Sequence, residues 1–247
     1  MINKEFVTIT DTKYCPFYDA CTEKDTDICK WDCPQCYNFS NMMFYSNLPI
    51  RFQHKQILDT GLITNTDVRD YIIAMYNTVD SFVNNGCNLY LYGDVGVGKT
   101  SWAVKMLTNY FAKIAYNAYD CKHCGKFVNV PTFLSNLKIN MGSFSSKMKE
   151  FIEDLKCVDL VVWDDVYQTN PTSYESQILY SLINERLDNE CSNIYTSNLN
   201  PKVVSAKDAR LYSRICATSD CKELMGQDYR GGIKFSDILF NYNNAEE

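Results

Sequence analysis

The chain has 247 residues, of which 46% are hydrophobic and 22% charged, a balance that is typical of one medium globular domain with a small appendage. The formal net charge of −6 argues against a protein that binds nucleic acid over its whole surface, so any such contact must be local or shared among subunits. No apolar run is long enough to cross a bilayer and residues 1–10 lack a signal-peptide core, which predicts a cytoplasmic protein without a membrane partner.

Residues 1–45 form a cysteine-rich segment, predicted to be a small separate domain. Without an export signal, its thiols are expected to be free or to bind metal, not to form disulfides. A tetrahedral Zn²⁺ with four thiolate ligands would stabilise a segment too short for its own core. An iron–sulfur cluster and a small packed domain of reduced thiols are the alternatives. The candidate ligands, four of which would be used, are Cys15, Cys21, Cys29, Cys33 and Cys36.

Regular structure begins after residues 46–66, which contain Pro49 and Gly61 and are predicted to be a linker. From residue 67 to 247, strands alternate with helices, and this alternation predicts an α/β fold with a parallel sheet that helices cover on both faces. Thr172 and Glu175 predict a capping box at one helix start. The predicted elements are helix 67–84, strand 88–92, helix 99–116, strand 126–130, a helix starting near Pro131, helix 147–157, strand 159–163, helix 173–189 and strand 194–197.

The clearest motif lies between the strand 88–92 and the helix that follows it. It fits the phosphate-binding pattern G-x-x-x-x-G-K-[ST] at every constrained position. Its glycines turn successive backbone N–H groups toward phosphate oxygens, and the helix N-terminus adds to the same field. We expect Lys99 to reach the β and γ phosphates of ATP, Thr100 to bind Mg²⁺ and Ser101 to lie near the α phosphate. The loop consists of Gly93, Asp94, Val95, Gly96, Val97, Gly98, Lys99 and Thr100.

Two later strands end in polar residues that suit ATP hydrolysis. Asp164 and Asp165 follow an apolar strand, where the first would hold Mg²⁺ and the second would orient or deprotonate the attacking water. Asn198 follows the next strand and can both donate and accept a hydrogen bond, which suits the positioning of water. The alternatives are two acids that merely end a strand, and a turn over residues 198–201.

Arg210 and Arg214 lie four residues apart on a predicted helix, hence on one of its faces. An arginine inserted at the γ phosphate bound by a neighbouring subunit would neutralise charge in the transition state. We assign this role to Arg214, with Arg210 as a supporting phosphate contact. Plain surface arginines are the alternative.

These motifs occur in an order that resembles the DnaC/DnaI-type helicase loaders. The resemblance covers roughly residues 46–216. It includes Leu-Pro-Ile-Arg-Phe-Gln at 48–53, the strand leading into the phosphate loop, Thr-Ser-Asn-Leu at 196–199 and the two arginines of 210–214. The phosphate loop is common to many ATPases, and the combination is more specific. The IstB-type transposition ATPases share much of it.

The resemblance implies an AAA+ P-loop ATPase without a full helical lid, since only about thirty residues follow Arg214. It implies a loader that binds a DnaB-type hexameric replicative helicase through the N-terminal domain, contacts single-stranded DNA and self-associates with ATP between neighbouring subunits. Many AAA+ proteins carry Glu at the position of Asp165, so we expect slow ATP hydrolysis that is stimulated by assembly or DNA. The compact size and the cysteines suggest a phage or prophage origin, and so the cytoplasm of a bacterial host.

Two other functions remain open at this stage. One is an IstB-type regulator of transposition that polymerises on duplex DNA, and the other is a module that sequesters a helicase and uses ATP as a structural ligand. Cys121 and Cys124 have the spacing of a metal knuckle, although a turn before the next strand is favoured. Side chains that could contact DNA are Tyr116, Tyr119, Lys122, Lys126, Phe133 and Lys138.

Overall fold

The computed structural model describes residues 17, 24, 33–53, 60–139, 145–167 and 172–228. Cys15, Cys21 and Cys29 lie outside these residues. The helices in them are α1 Pro34–Tyr45, α2 Thr66–Asn77, α3 Val79–Asn84, α4 Lys99–Ile114, α5 Val130–Ile139, α6 Ser146–Cys157, α7 Ser173–Asp188, α8 Pro201–Lys207 and α9 Ala209–Ile215. The strands are β1 Asn88–Tyr92, β2 Gly125–Asn129, β3 Leu160–Asp164, β4 Ser192–Ser197 and β5 Asp220–Glu223.

The five strands form one parallel sheet in the order β2-β3-β4-β1-β5. The predicted α/β class with a parallel sheet is therefore confirmed. Because all strands point the same way, the carboxyl ends of β3, β4 and β1 lie side by side at one edge of the sheet. This arrangement brings together three segments that are far apart in sequence: the phosphate loop, Asp164 and the end of β4.

Two apolar layers cover the two faces of the sheet. Helices α1 to α4 pack on one face, where Leu89, Leu91 and Val162 point. Helices α5 to α9 pack on the other, where Tyr90 and Trp163 point. Strands β1 to β4 are thus largely buried on both faces, as expected for a parallel sheet between helices, whereas the edge strand β5 is partly exposed.

The predicted helix 67–84 is wrong as one unit, because Thr78 interrupts it. Thr78 has φ −123° and ψ 27°, outside the helical region, and its Oγ1 donates a hydrogen bond to the Ala74 carbonyl oxygen at 2.9 Å. Such a side-chain bond competes with the regular backbone pattern. The change of direction allows Val79 and Val83 of the second helix to be buried in the core.

Other predicted elements are present with shifted ends. Strand β4 starts two residues earlier than predicted, β2 and β3 are displaced by one residue, and α4 ends at Ile114. Helices α1 and α8 and strand β5 were not predicted. Met42 of α1 is buried in the core shared with α4, and the Asn38 amide donates to the Ala115 carbonyl at 2.9 Å. The domain boundary at residue 45 stays a prediction.

Candidate nucleotide-binding site

The phosphate loop connects β1 to α4 at the carboxyl edge of the sheet. Gly93, Gly96 and Gly98 have φ values of 144°, 86° and 92°, conformations that side chains other than glycine rarely adopt. Gly98 is also the N-cap of α4. The glycines of the motif are therefore required by the backbone path, which turns the loop around the start of α4.

Lys99 is buried at the first position of α4. Its Nζ donates to the carbonyl oxygens of Gly93 at 2.9 Å and Asp94 at 2.6 Å. The Lys99 side chain therefore folds back over the phosphate loop, which precedes it in sequence, and its ammonium group contacts the start of that loop. A cation at this position suits the binding of anionic phosphate groups.

Thr100 and Asp164 meet although 64 residues separate them in sequence. Thr100 Oγ1 donates to Asp164 Oδ1 at 2.6 Å, and the Asp164 carboxylate is almost fully buried. A hydroxyl and a carboxylate are hard oxygen ligands, which Mg²⁺ prefers. These two oxygen ligands therefore fit Mg²⁺, the ion that the sequence predicts them to bind.

Two further side chains hold Asp164, and neither was selected from the sequence. Thr196 Oγ1 of β4 donates to Asp164 Oδ1 at 2.8 Å. The Asn129 amide at the end of β2 donates to Oδ2 at 3.4 Å, and Thr132 Oγ1 donates to the Asn129 Oδ1 at 2.6 Å. Both are polar residues at the ends of parallel strands, the same pattern that predicted Asp164 and Asn198. They could not be selected from the sequence, because this requires knowing that β2 and β4 are the neighbours of β3.

Asp165 follows Asp164 in a left-handed backbone conformation with φ 60°. Its backbone N–H donates to Thr196 Oγ1 at 3.0 Å. Asn198 lies just past β4 and its side chain is exposed. Their assignments as the residues that activate and position water stay predictions.

The two arginines lie on α9, which packs against α7 and α8. Asp208 caps this helix by accepting from the backbone N–H groups of Arg210 and Leu211, both at 3.0 Å. Arg214 is half-buried, its Nε donates to the Tyr180 hydroxyl at 3.4 Å, and its guanidinium lies 5.9 Å from the centre of that ring. Arg210 is exposed. Arg214 is thus oriented by α7 of its own chain and stays partly accessible.

The metal predictions fall largely outside the described residues. Cys33 and Cys36, at the start of α1, are half-buried, and within the described part of the chain no group of three or more His, Cys, Asp or Glu side chains could hold a metal ion. Zinc binding by the N-terminal cysteines stays a prediction. Cys121 and Cys124 lie in bends before β2, as favoured, and Cys124 is buried with Sγ donating to the Asp120 carbonyl oxygen at 3.0 Å.

The candidate DNA-contacting side chains do not share one surface environment. Tyr116, Tyr119 and Lys138 are exposed, whereas Lys126 and Phe133 are buried. Lys126 Nζ donates to the Tyr45 carbonyl oxygen at 2.9 Å, and Phe133 packs in the core. The proposed DNA contacts of these two residues are therefore wrong for the fold described. Among the described helices, none combines the length and apolarity needed to cross a membrane.

The sheet order and the phosphate loop with its adjacent Asp164 define the AAA+ class of P-loop ATPases. Residues 69–221 match the family of the bacterial DnaA ATPase domain, and since this match covers more than half of the chain, the chain belongs to that family.

Comparison with individual proteins supports the resemblance stated from the motifs. The chain is 23% identical over 186 residues to the replicative helicase loader DnaI of Bacillus subtilis (strain 168), a match that covers 72% of this chain and 57% of that protein. The chain thus spans less than two thirds of that relative. The structure is similar to a crystal structure of the DnaC helicase loader, with TM-score 0.55, 18% identity and coverage of 72% and 100% of the two chains.

A crystal structure of DnaI gives the same TM-score of 0.55, with 22% identity and coverage of 74% of this chain and 94% of the other. Because these sequence identities are low, the two structural similarities by themselves show only the fold. Together with the family match and the loader DnaI, they confirm the resemblance to DnaC/DnaI-type AAA+ helicase loaders.

Proposed function

We propose that this protein is an ATP-dependent loader that binds a DnaB-type hexameric helicase and places it on single-stranded DNA at the start of replication. The observation that carries the ATPase part is the 2.6 Å contact between Thr100 and Asp164 beside the phosphate loop. The loader part is supported by the similarity to DnaI over 72% of this chain.

In this proposal the loop N–H groups and Lys99 bind the phosphates of ATP, with Ser101 near the α phosphate. Thr100 and Asp164 hold Mg²⁺, which supplies charge neutralisation at the phosphates when bound. Asp165 orients or accepts a proton from the attacking water, and Asn198 positions that water. Arg214 stabilises the γ phosphate bound by the neighbouring subunit, with Arg210 in support.

The N-terminal segment 1–45 is proposed to bind the helicase. Size-exclusion chromatography with light scattering, on this protein mixed with the host's replicative helicase, tests the loader assignment. We expect a stable complex with ATP, which disappears when residues 1–32 are deleted, a truncation that keeps α1 and its packing against α4. If no complex forms with or without ATP, the loader assignment is wrong. Filaments on duplex DNA by electron microscopy would then favour a role in transposition.

The ATPase part has its own test. Lys99→Ala should abolish nucleotide binding, because it removes the cation that contacts the phosphates. Asp164→Asn should lower Mg²⁺-dependent hydrolysis about a hundredfold, because it removes a carboxylate ligand of the ion that neutralises them. Phosphate release measured with helicase and single-stranded DNA present reports both. If helicase loading continues unchanged in Lys99→Ala, loading does not depend on ATP binding or hydrolysis, and the ATP-dependent part of the proposal is wrong.

A further inference from the structure

The phosphate loop is in contact with residues 224–228, which follow the edge strand β5. The backbone N–H of Leu224 donates to the Tyr92 carbonyl oxygen, which continues the pairing of β5 with β1 up to the start of the loop. A Cβ atom added at Gly93 would collide with the Leu224 carbonyl oxygen. Leu224, the first residue of this segment, therefore packs directly against Gly93, the first glycine of the loop.

The same segment brings a carboxylate onto the loop. A Cβ atom added at Gly96 would collide with the carboxylate of Asp228, whose Oδ1, Cγ and Oδ2 are the nearest atoms to that point. The Asp228 carboxylate thus fills the space that a side chain at Gly96 would take. A negative group there lies on the loop that collects backbone N–H groups for the phosphates of a nucleotide.

Residues 224–228 are also attached on their other side to the residues that precede α2. The Thr64 backbone N–H donates to the Met225 carbonyl oxygen at 3.0 Å. The Asn65 side chain accepts from the Met225 N–H at 3.3 Å and donates to the Glu223 carbonyl oxygen at 2.6 Å. The segment therefore joins the predicted linker to the phosphate loop.

We propose that residues 224–228 belong to the nucleotide site and that the Asp228 carboxylate limits nucleotide affinity by repelling the phosphates until it is displaced. This inference rests on the proposed binding of ATP at the loop. Like charges at short range repel, and the repulsion is weakened but not removed by solvent, so the bound nucleotide and the exposed Asp228 carboxylate cannot both keep this position at no cost. Displacement of Asp228 would pull on the bonds to residues 64 and 65, which couples nucleotide binding to the linker.

The test is the dissociation constant of a fluorescent ATP analogue for wild type, Asp228→Asn and the control Glu153→Gln. Glu153 is an exposed acid of α6, on the opposite face of the sheet from α4, so its substitution removes the same charge away from the loop. We expect Asp228→Asn to bind about tenfold more tightly, with a difference that shrinks as salt is raised, because exposed charges are screened. Glu153→Gln should bind like wild type.

Equal or weaker binding by Asp228→Asn would overturn the inference. If wild type binds the analogue, Lys99→Ala does not, and Asp228→Asn matches wild type, the proposed nucleotide site holds and only the role of Asp228 fails. If neither wild type nor Asp228→Asn binds, both fail. Hydrogen exchange gives an independent readout: exchange at residues 224–228 should rise when the nucleotide is added, and increased protection there would contradict displacement.

Discussion

Asp165 has a backbone conformation that residues other than glycine rarely adopt, and β4 holds it there. Thr196 accepts the Asp165 N–H through Oγ1 and the Val166 N–H through its carbonyl oxygen, at 3.0 and 2.9 Å. Ser197 Oγ donates to the Val166 carbonyl oxygen at 2.8 Å. Unfavourable conformations persist only where neighbours fix them, so Thr196 acts as a positioning residue for both acids of the site.

This role predicts a specific effect of removing the Thr196 hydroxyl. Thr196→Val keeps the shape of the side chain but loses its bonds to Asp164 and Asp165, so we expect kcat to fall about tenfold or more while ATP affinity changes little. Thr196→Ser keeps the hydroxyl and should retain most of the activity. Steady-state ATPase kinetics and nucleotide titration measure the two parameters. An unchanged kcat in Thr196→Val would mean that the hydroxyl does not position the two acids.

At the scale of elements, Arg186 joins the end of α7 to the end of α6 and the start of β4. It is fully buried. Its Nη1 donates to the carbonyl oxygens of Leu155 and Val158 at 2.7 and 2.8 Å, Nη2 to that of Ser192 at 2.7 Å, and Nε to Asn193 Oδ1 at 2.7 Å. Burial lowers the pKa of Arg186 to about 10, so it remains charged at neutral pH.

Arg186→Lys is therefore expected to be strongly destabilising despite conserving the charge. A single ammonium cannot reach four acceptors that a planar guanidinium spans, which leaves buried carbonyl groups without donors. We expect the free energy of unfolding to fall by about 3 kcal/mol in urea titrations. Arg69→Lys, in an exposed pair with Asp70, is the matched control and should change stability by less than about 0.5 kcal/mol. A similar small change at position 186 would contradict the argument.

The capping box of α7 is present as the sequence predicted. The Thr172 side chain accepts from the Glu175 N–H at 3.3 Å, and the Glu175 carboxylate accepts from the Thr172 N–H at 2.6 Å. Thr172→Ala should lower the free energy of unfolding by about 1 kcal/mol, whereas Thr172→Ser should cost little because it keeps the capping oxygen. Thermal unfolding compares the two, and equal effects would rule out the cap as the cause.

The same box adds a pH dependence of known sign. The backbone N–H of Thr172 holds the pKa of Glu175 below its ordinary value of 4.5. The folded-state pKa is thus lower than the unfolded one, so this carboxylate stabilises the fold above pH 4.5, and the contribution is lost as pH falls through the lowered pKa. Wild type should lose its stability advantage over Glu175→Gln in this acidic range, and an advantage that grows on acidification would contradict the assignment.

At the scale of the whole molecule, the question is whether Arg214 acts on its own nucleotide or on that of a neighbour. Lys99→Ala should not bind ATP but keeps Arg214, and Arg214→Ala binds ATP but lacks the arginine. Each alone should be inactive. In an equal mixture, about a quarter of head-to-tail contacts would pair an intact phosphate loop with an intact arginine, so ATPase activity should return to about a quarter of wild type.

No recovery in the mixture, from variants that still assemble by light scattering, would indicate that Arg214 acts within its own chain. The position of α9 against Tyr180 is compatible with an arginine that is held ready on one subunit for the next.

Features that depend on only a few neighbouring residues could be predicted from the sequence. The phosphate loop, the capping box of α7 and the strand β1 each depend on backbone geometry and neighbouring side chains. The position of Asp164 in the site could be predicted as well, because an apolar strand that follows a phosphate loop and ends in acidic residues is typical of a Mg²⁺-binding strand end in P-loop ATPases. The parallel sheet followed from the alternation of apolar strands and amphipathic helices.

The tertiary structure decided what depends on residues distant in sequence. Thr196 and Asn129 reach Asp164 only because β2, β3 and β4 are neighbours, and periodicity does not give strand order. Strand β5 is short and polar, so its sequence contains no pattern that predicts a strand or its pairing with β1. That pairing, together with the hydrogen bonds to Thr64 and Asn65, brings Asp228 to the phosphate loop. The sequence by itself thus determined the phosphate-loop motif, whereas packing determined which side chains surround it.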